Sequence, residues 1–287
     1  MVTVVLLGLF VSWVDLDAAA AAVARADRRW FALAGLGYLA GQFLNGLSWR
    51  RLLADAGIGL TVGEMVRHDL ASVFWSTMVP GGIAGEVVKG VRIARARGEG
   101  ATVATAILAA RLVGGGSAGL VGLVLLPWSE TVRGHGLAAS AVLTATAAAG
   151  GVGLLVLRRA PRLLSRWIAP GRFPSLAALG QAALATSAAH LCFAGTTAAC
   201  FVASGHPLGL PDAAWVSVAT SLAEIAPVTV GGFGVRELTM TLVGGELVPR
   251  EAAAGAALLF TSAFLGVVLL GGLSELHRAV TRGGAPS

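Results

Sequence analysis

Two short stretches hold most of the residues that could do chemistry. The chain reads PGGIAGEVVKGVR from Pro80 to Arg92 and PVTVGGFGVRE from Pro227 to Glu237. In each, a proline and a Gly-Gly pair stop a helix, because proline lacks the N–H of the helical ladder and glycine costs about 1 kcal/mol relative to alanine. Gly81, Gly82 and Gly85 in the first, and Gly231, Gly232 and Gly234 in the second, leave backbone N–H groups free where a helix resumes. The helix dipole favours an anion at such a place.

Charged side chains stand beside both breaks. Glu86, Lys89 and Arg92 follow at three-residue intervals, so that neighbouring pairs share a face and a phosphate descending on the helix start would meet them together. Arg236 and Glu237 adjoin the second break, and Glu224 lies three residues before Pro227 in an apolar run. An ionisable group at that depth is costly, and serves either a functional site or an ion pair, here with Arg236. Arg111 lies inside the apolar stretch 102 to 127, too deep to reach an interface easily. It must find a carboxylate such as Glu86 or Glu224, backbone carbonyls, or a bound anion. Gly114, Gly115, Gly116 and Gly119 follow it and read as a close helix-packing surface.

This is chemistry for holding a charged group, and no catalytic residue, metal or cofactor is assigned. His68 and Asp69 are adjacent, so they diverge on a helix, and no further ligand follows at helical spacing. Cys192 and Cys200 share one apolar stretch and read as buried thiols rather than a disulfide framework. The net charge of +6 could suggest nucleic acid as a partner, but no basic stripe is interleaved with stacking aromatics.

The elements that must position these residues are membrane helices. Of the 287 residues 56% are hydrophobic and 13% charged, and the mean hydropathy is +0.79. No polar block is long enough to fold separately, so residues 1–287 read as a single integral membrane domain. Crossing a bilayer core of roughly 30 Å takes about 20 apolar residues, and six stretches approach this, near 2 to 14, 30 to 48, 102 to 127, 137 to 157, 176 to 203 and 251 to 273. The Ala-rich stretch from Asp15 to Trp30 reads as a helix lying in the interface.

The two broken segments, about 66–95 and 213–248, decide the topology. If each is a re-entrant hairpin, the cytoplasmic pieces are 49 to 67, 86 to 100, 158 to 175 and 274 to 287, and these hold 14 of the 21 Lys and Arg. That is the bias of a multi-pass protein of a bacterial-type cytoplasmic membrane with both termini cytoplasmic. The first hairpin then enters from the cytoplasm and the second from outside. The expected fold is all-α and polytopic, with about six full spans and two oppositely oriented re-entrant hairpins forming an inverted pseudo-repeat.

VPGGIAGEVVKGVRIAR and APVTVGGFGVREL, together with SWRRLL at 48 to 53, resemble the lysylphosphatidylglycerol synthase transmembrane, or flippase-like, family. The resemblance covers nearly the whole chain. It implies an integral membrane domain which, in the multiple peptide resistance factor proteins, moves aminoacylated phosphatidylglycerol to the outer leaflet. Those proteins continue into an aminoacyl-transferase domain, whereas this chain stops at Ser287, so lipid synthesis is not expected of it. Glu86 stands where the usual form of the motif has Asp.

The reading that results is a transporter rather than an enzyme. It would move a polar, anionic or aminoacylated phospholipid or other lipid-linked headgroup between leaflets, with membrane phospholipids as partners and the oligomeric state, including a homodimer, left open. Lys89, Arg92, Arg111 and Arg236 would neutralise a phosphate, and Glu86, Glu224 and Glu237 would balance those cations or receive a cationic headgroup. The alternatives are an intramembrane transferase acting on a lipid carrier and a non-catalytic membrane subunit.

Overall fold

Three of the described helices begin at a side-chain cap. A computed structural model describes residues 17, 21, 23–78, 84–164, 172–224 and 229–283. The stretch 2 to 14, together with Pro80, Gly81, Gly82 and Pro227, lies outside the described residues. Within them all regular structure is helical.

Helix α1 (Arg28–Asp55) starts at Asp27, whose carboxylate accepts the Arg29 N–H at 2.8 Å. The expected interfacial helix therefore stops short of Trp30, because a turn at Arg25 and this cap start a new helix there. Helix α2 (Val62–Ser76) opens with a reciprocal box: Thr61 N–H donates to Glu64 at 2.8 Å and Glu64 N–H donates to Thr61 Oγ1 at 3.2 Å. Then follow α3 (Ala84–Arg97), α4 (Gly100–Leu125), a short 3₁₀ turn, α5 (Glu130–Leu164), α6 (Leu176–Ala203), α7 (Leu210–Glu224), α8 (Val235–Gly244) and α9 (Arg250–Gly283). Helices α4, α6 and α9 are long and apolar enough to cross a membrane. Large apolar side chains such as Leu36, Leu184 and Leu269 point outward, as suits a lipid solvent.

The chain is built twice. Helices α1 and α6 each have 28 residues, and α2 and α7 each have 15. Arg28 and Leu176 are 148 residues apart, as are Val62 and Leu210. Exchanging α1 with α6, α2 with α7, α3 with α8 and α4 with α9 leaves the main packing pattern unchanged. Thus α2 packs on α9 as α7 packs on α4, and α4 packs on α6 as α9 packs on α1. Among the described residues helix α5 has no counterpart in this exchange; it packs mainly on α4, where Gly116 and Gly119 bring the α5 backbone close.

The exchange is an inversion, because α1 and α6 pair with themselves antiparallel. Asp27 N–H donates to the Ala203 carbonyl at 3.0 Å at one end, and Ser175 N–H donates to Asp55 Oδ2 at 2.7 Å at the other. Asp27 and Ser175 are the caps of the two helices, so each half contributes the same atom to the last residue of the other's first helix. In between, Thr186 meets Ser48 at 2.8 Å and Thr196 meets the Ala34 carbonyl at 3.3 Å.

Each half also holds a pair of short helices. A 15-residue helix rises about 22 Å, less than a bilayer core of roughly 30 Å. Helices α2 and α3 run antiparallel, with Gly85 against Ser72 near the break and Arg97 against Glu64 at the base. Helices α7 and α8 do the same, with Arg236 against Glu224 near the break. The bases lie at opposite ends of the α1–α6 pair, since α2 follows the end of α1 and α7 follows the end of α6. The broken ends meet: a Cβ on Gly231 would lie 3.1 Å from Thr77 Cγ2.

Candidate functional site

The break between α7 and α8 is shaped by glycine. Gly231, Gly232 and Gly234 have φ of +59°, +79° and +88°. A side chain at Gly232 would also come within 2.5 Å of Glu224 Oε1 and 2.9 Å of Arg236 Nη2. The glycine is therefore what lets the backbone close over the Glu224–Arg236 ion pair. Arg236 Nε lies 2.7 Å from Glu224 Oε1, and its Nη2 donates to the Gly231 carbonyl at 3.2 Å. The guanidinium stacks 4.2 Å from the centre of the Phe264 ring. Glu237 is 2% exposed and caps its own helix, accepting the Gly234 N–H at 2.6 Å while also accepting the Thr261 hydroxyl.

In the first half the three residues expected to act together have been divided. Glu86 pairs with Arg111, Lys89 with Asp69 at 3.1 Å, and Arg92 with Glu275 at 2.8 Å. The reason is helical geometry: each three-residue step falls about 60° short of a full turn, so Glu86 and Arg92 point about 120° apart. Glu86 stands near the break, whereas Arg92 faces the base of the hairpin. Gly85 serves packing, because its face lies directly on the Ser72 carbonyl and the Ser76 hydroxyl.

Sequence reasoning missed Asp69, Trp49, Glu275 and Thr261. Asp69 Oδ1 accepts from Trp49 Nε1 at 2.7 Å as well as from Lys89, whose ammonium sits 4.3 Å from the Trp49 ring centre. Glu275 accepts from Trp75 Nε1 at 3.0 Å in addition to Arg92. Each finds its partner 20 or more residues away, so no local spacing signals them.

The pseudo-symmetry relates these groups. Glu86 and Glu237 are each the third residue of their helix, and Arg111 and Thr261 are each the twelfth of theirs. The Glu86–Arg111 ion pair and the Glu237–Thr261 hydrogen bond are one contact in two chemical versions. Ser76 and Gly85 occupy the positions of Glu224 and Arg236. The places of Trp49, Asp69 and Lys89 are taken by Thr197, Ser217 and Met240, which border a small cavity of about 80 Å³ beside Glu224 and Arg236.

The Glu86–Arg111 pair differs from the others in its surroundings. It closes one end of an apolar groove of about 610 Å³ between α3 and α4, walled by Val87, Gly90, Val91, Val103, Ile107 and Leu108. The Arg111 side chain is 42% exposed and Glu86 28%, whereas Arg236 is 5% exposed. Such a groove can take apolar chains along its walls and a charged group at its end.

A family model described as the lysylphosphatidylglycerol synthase TM region matches residues 1–272. The chain belongs to this family. No curated protein matches the chain. Membership in the lysylphosphatidylglycerol synthase transmembrane family, with the apolar helices α4, α6 and α9, makes this a membrane protein. Of the two Gly-Gly signatures that carried the resemblance, Gly231 and Gly232 lie at the break between α7 and α8 in this family member.

Proposed function

We propose that the protein is a lipid translocase that moves a phosphate-bearing phospholipid, anionic or aminoacylated, between leaflets. The observation that carries this reading is the half-exposed Glu86–Arg111 pair at the end of the apolar groove. Arg111 is the twelfth of 26 residues in a helix of spanning length, so in this reading its charge lies near mid-membrane. An ion pair open to hydrocarbon is costly there, and an arriving headgroup relieves that cost by supplying further polar partners. Arg111 receives the phosphate, and Glu86, once released, takes a cationic substituent if the headgroup has one.

In this reading α2–α3 and α7–α8 are re-entrant hairpins that enter from opposite faces, with both termini cytoplasmic in a bacterial-type inner membrane. The remaining long helices and the stretch 2 to 14 are the spans. Family membership supports a role in handling membrane lipid, and the inverted repeat supports alternating exposure to the two sides.

The test is leaflet transfer in liposomes containing the purified protein, with labelled phosphatidylglycerol and its aminoacylated form. Transfer faster than in protein-free liposomes is expected. Equal rates across these and other headgroups would overturn the proposal.

A further inference from the structure

Beyond the groove, a second and chemically different cavity lies at the base of the first hairpin. It measures about 560 Å³, within the range of small-molecule sites (roughly 300–1,000 Å³), and is formed by α2, α3 and the last turns of α9. Four guanidinium groups border it: Arg67 from α2, Arg92 and Arg97 from α3, and Arg278 from α9. His68 and His277 join them, and Ser274 and Thr281 add hydroxyl groups. Leu60, Ile93 and Ala96 supply apolar wall.

The carboxylates at this place are already engaged. Glu64 closes the capping box of α2 and pairs with Arg97 at 3.5 Å. Glu275, behind the wall, is held by Arg92 through two hydrogen bonds and by Trp75. Arg67 forms no ion pair with any described residue. Four arginines drawn from three helices thus surround one space that a single carboxylate borders. The planar, permanently charged guanidinium suits bidentate binding of phosphate oxygens.

We infer that this cavity is a binding site for a doubly charged phosphate group, a phosphomonoester or pyrophosphate, distinct from the groove that ends at Arg111. Against Glu64 and Glu275 the four guanidinium groups carry a formal excess of two positive charges; a phosphodiester offsets one of them, whereas a dianion offsets both and can use the Ser274 and Thr281 hydroxyls as further donors. The site does not depend on lipid translocation. Its ligand is either the headgroup of a lipid phosphomonoester or a soluble phosphate compound, and the chemistry is the same for both.

The test uses the full chain in phosphatidylcholine nanodiscs at low salt, titrated calorimetrically with inorganic pyrophosphate. One site per chain is expected. Arg67→Gln should weaken binding by about tenfold or more, as loss of a charge-assisted contact does, and Arg67→Lys should restore part of it. Arg29→Gln, at the opposite end of the molecule, should leave it unchanged. Displacement of pyrophosphate by phosphatidic acid placed in the nanodisc, but not by the same fraction of phosphatidylglycerol, would assign the site to a lipid phosphomonoester. Binding that phosphatidic acid leaves untouched would assign it to a soluble ligand. Absence of pyrophosphate binding, or equal affinity in wild type and a correctly folded Arg67→Gln, would overturn the inference. Lipid transfer is a separate readout, so loss of pyrophosphate binding with transfer intact is distinguishable from failure of the translocase reading.

Discussion

Glu237 accepts a hydrogen bond from Thr261 at the position where, in the inverted half, Glu86 forms an ion pair with Arg111. The two contacts join the third residue of a hairpin helix to the twelfth residue of the long helix that follows. One version is sealed in the protein and the other faces an apolar groove. The halves share a frame but divide the work, one carrying a closed structural contact and the other an accessible charge.

That division predicts opposite consequences for two substitutions. Thr261→Val leaves a buried Glu237 oxygen without its donor and should cost about 1–3 kcal/mol, read as a lower melting temperature in detergent. Arg111→Gln, which removes the charge facing the groove, should instead slow lipid transfer, and Glu86 then takes up a proton rather than remain charged and unpaired against lipid.

Close approach at the first hairpin gives a second prediction. A side chain at Gly85 would overlap the Ser72 carbonyl, so Gly85→Ala should destabilise by about 1–3 kcal/mol or force the hairpin apart. Gly195, in the middle of α6, has nothing within 4 Å of where its Cβ would lie. Gly195→Ala should stabilise by about 0.5–1 kcal/mol through helix propensity. Thermal unfolding of both variants separates packing glycines from merely permissive ones.

The junction between the halves should respond to acid. Hydrogen bonds from the Ser175 backbone N–H and hydroxyl hold the Asp55 carboxyl below its usual value of 3.8. A carboxylate with a lowered folded value adds stability that is fully present above the unfolded value and is lost as pH falls through the folded one. Wild type should therefore melt above Asp55→Asn near neutral pH, with the difference closing below about pH 4. The site is exposed, so the effect should be small.

The inversion itself can be read from labelling. With Cys192 and Cys200 replaced, a single cysteine at Arg95, near the base of the first hairpin, should react with an impermeant thiol reagent from one face of the membrane. A cysteine at Glu246, near the base of the second, should react from the other. Labelling of both from the same face would remove the inverted arrangement.

Much of this frame was legible in the sequence. The stretch 176 to 203 coincides with α6, and 102 to 127 is close to α4, because both are uninterrupted apolar runs. Gly231 and Gly232 marked the break between α7 and α8, and the Glu224–Arg236 pair followed from two charges flanking it. The partners Asp69, Glu275 and Thr261 were not legible. Asp69 and Lys89 face each other only through the antiparallel register of α2 and α3, and Arg92 meets Glu275 only because α9 packs on α2. The equal lengths of α1 and α6 became visible once their ends were fixed by Asp27 and Ser175, two unlike residues doing the same capping.

The most direct measurement is the rate of leaflet transfer of labelled phospholipid by wild type, Arg111→Gln and Arg29→Gln in liposomes of matched protein content. Wild type and Arg29→Gln should transfer alike and well above protein-free liposomes, and a folded Arg111→Gln should fall by about tenfold or more, as loss of one charge-assisted contact to the headgroup implies. Wild-type transfer equal to that of protein-free liposomes, or an Arg111→Gln variant as fast as wild type, would contradict it.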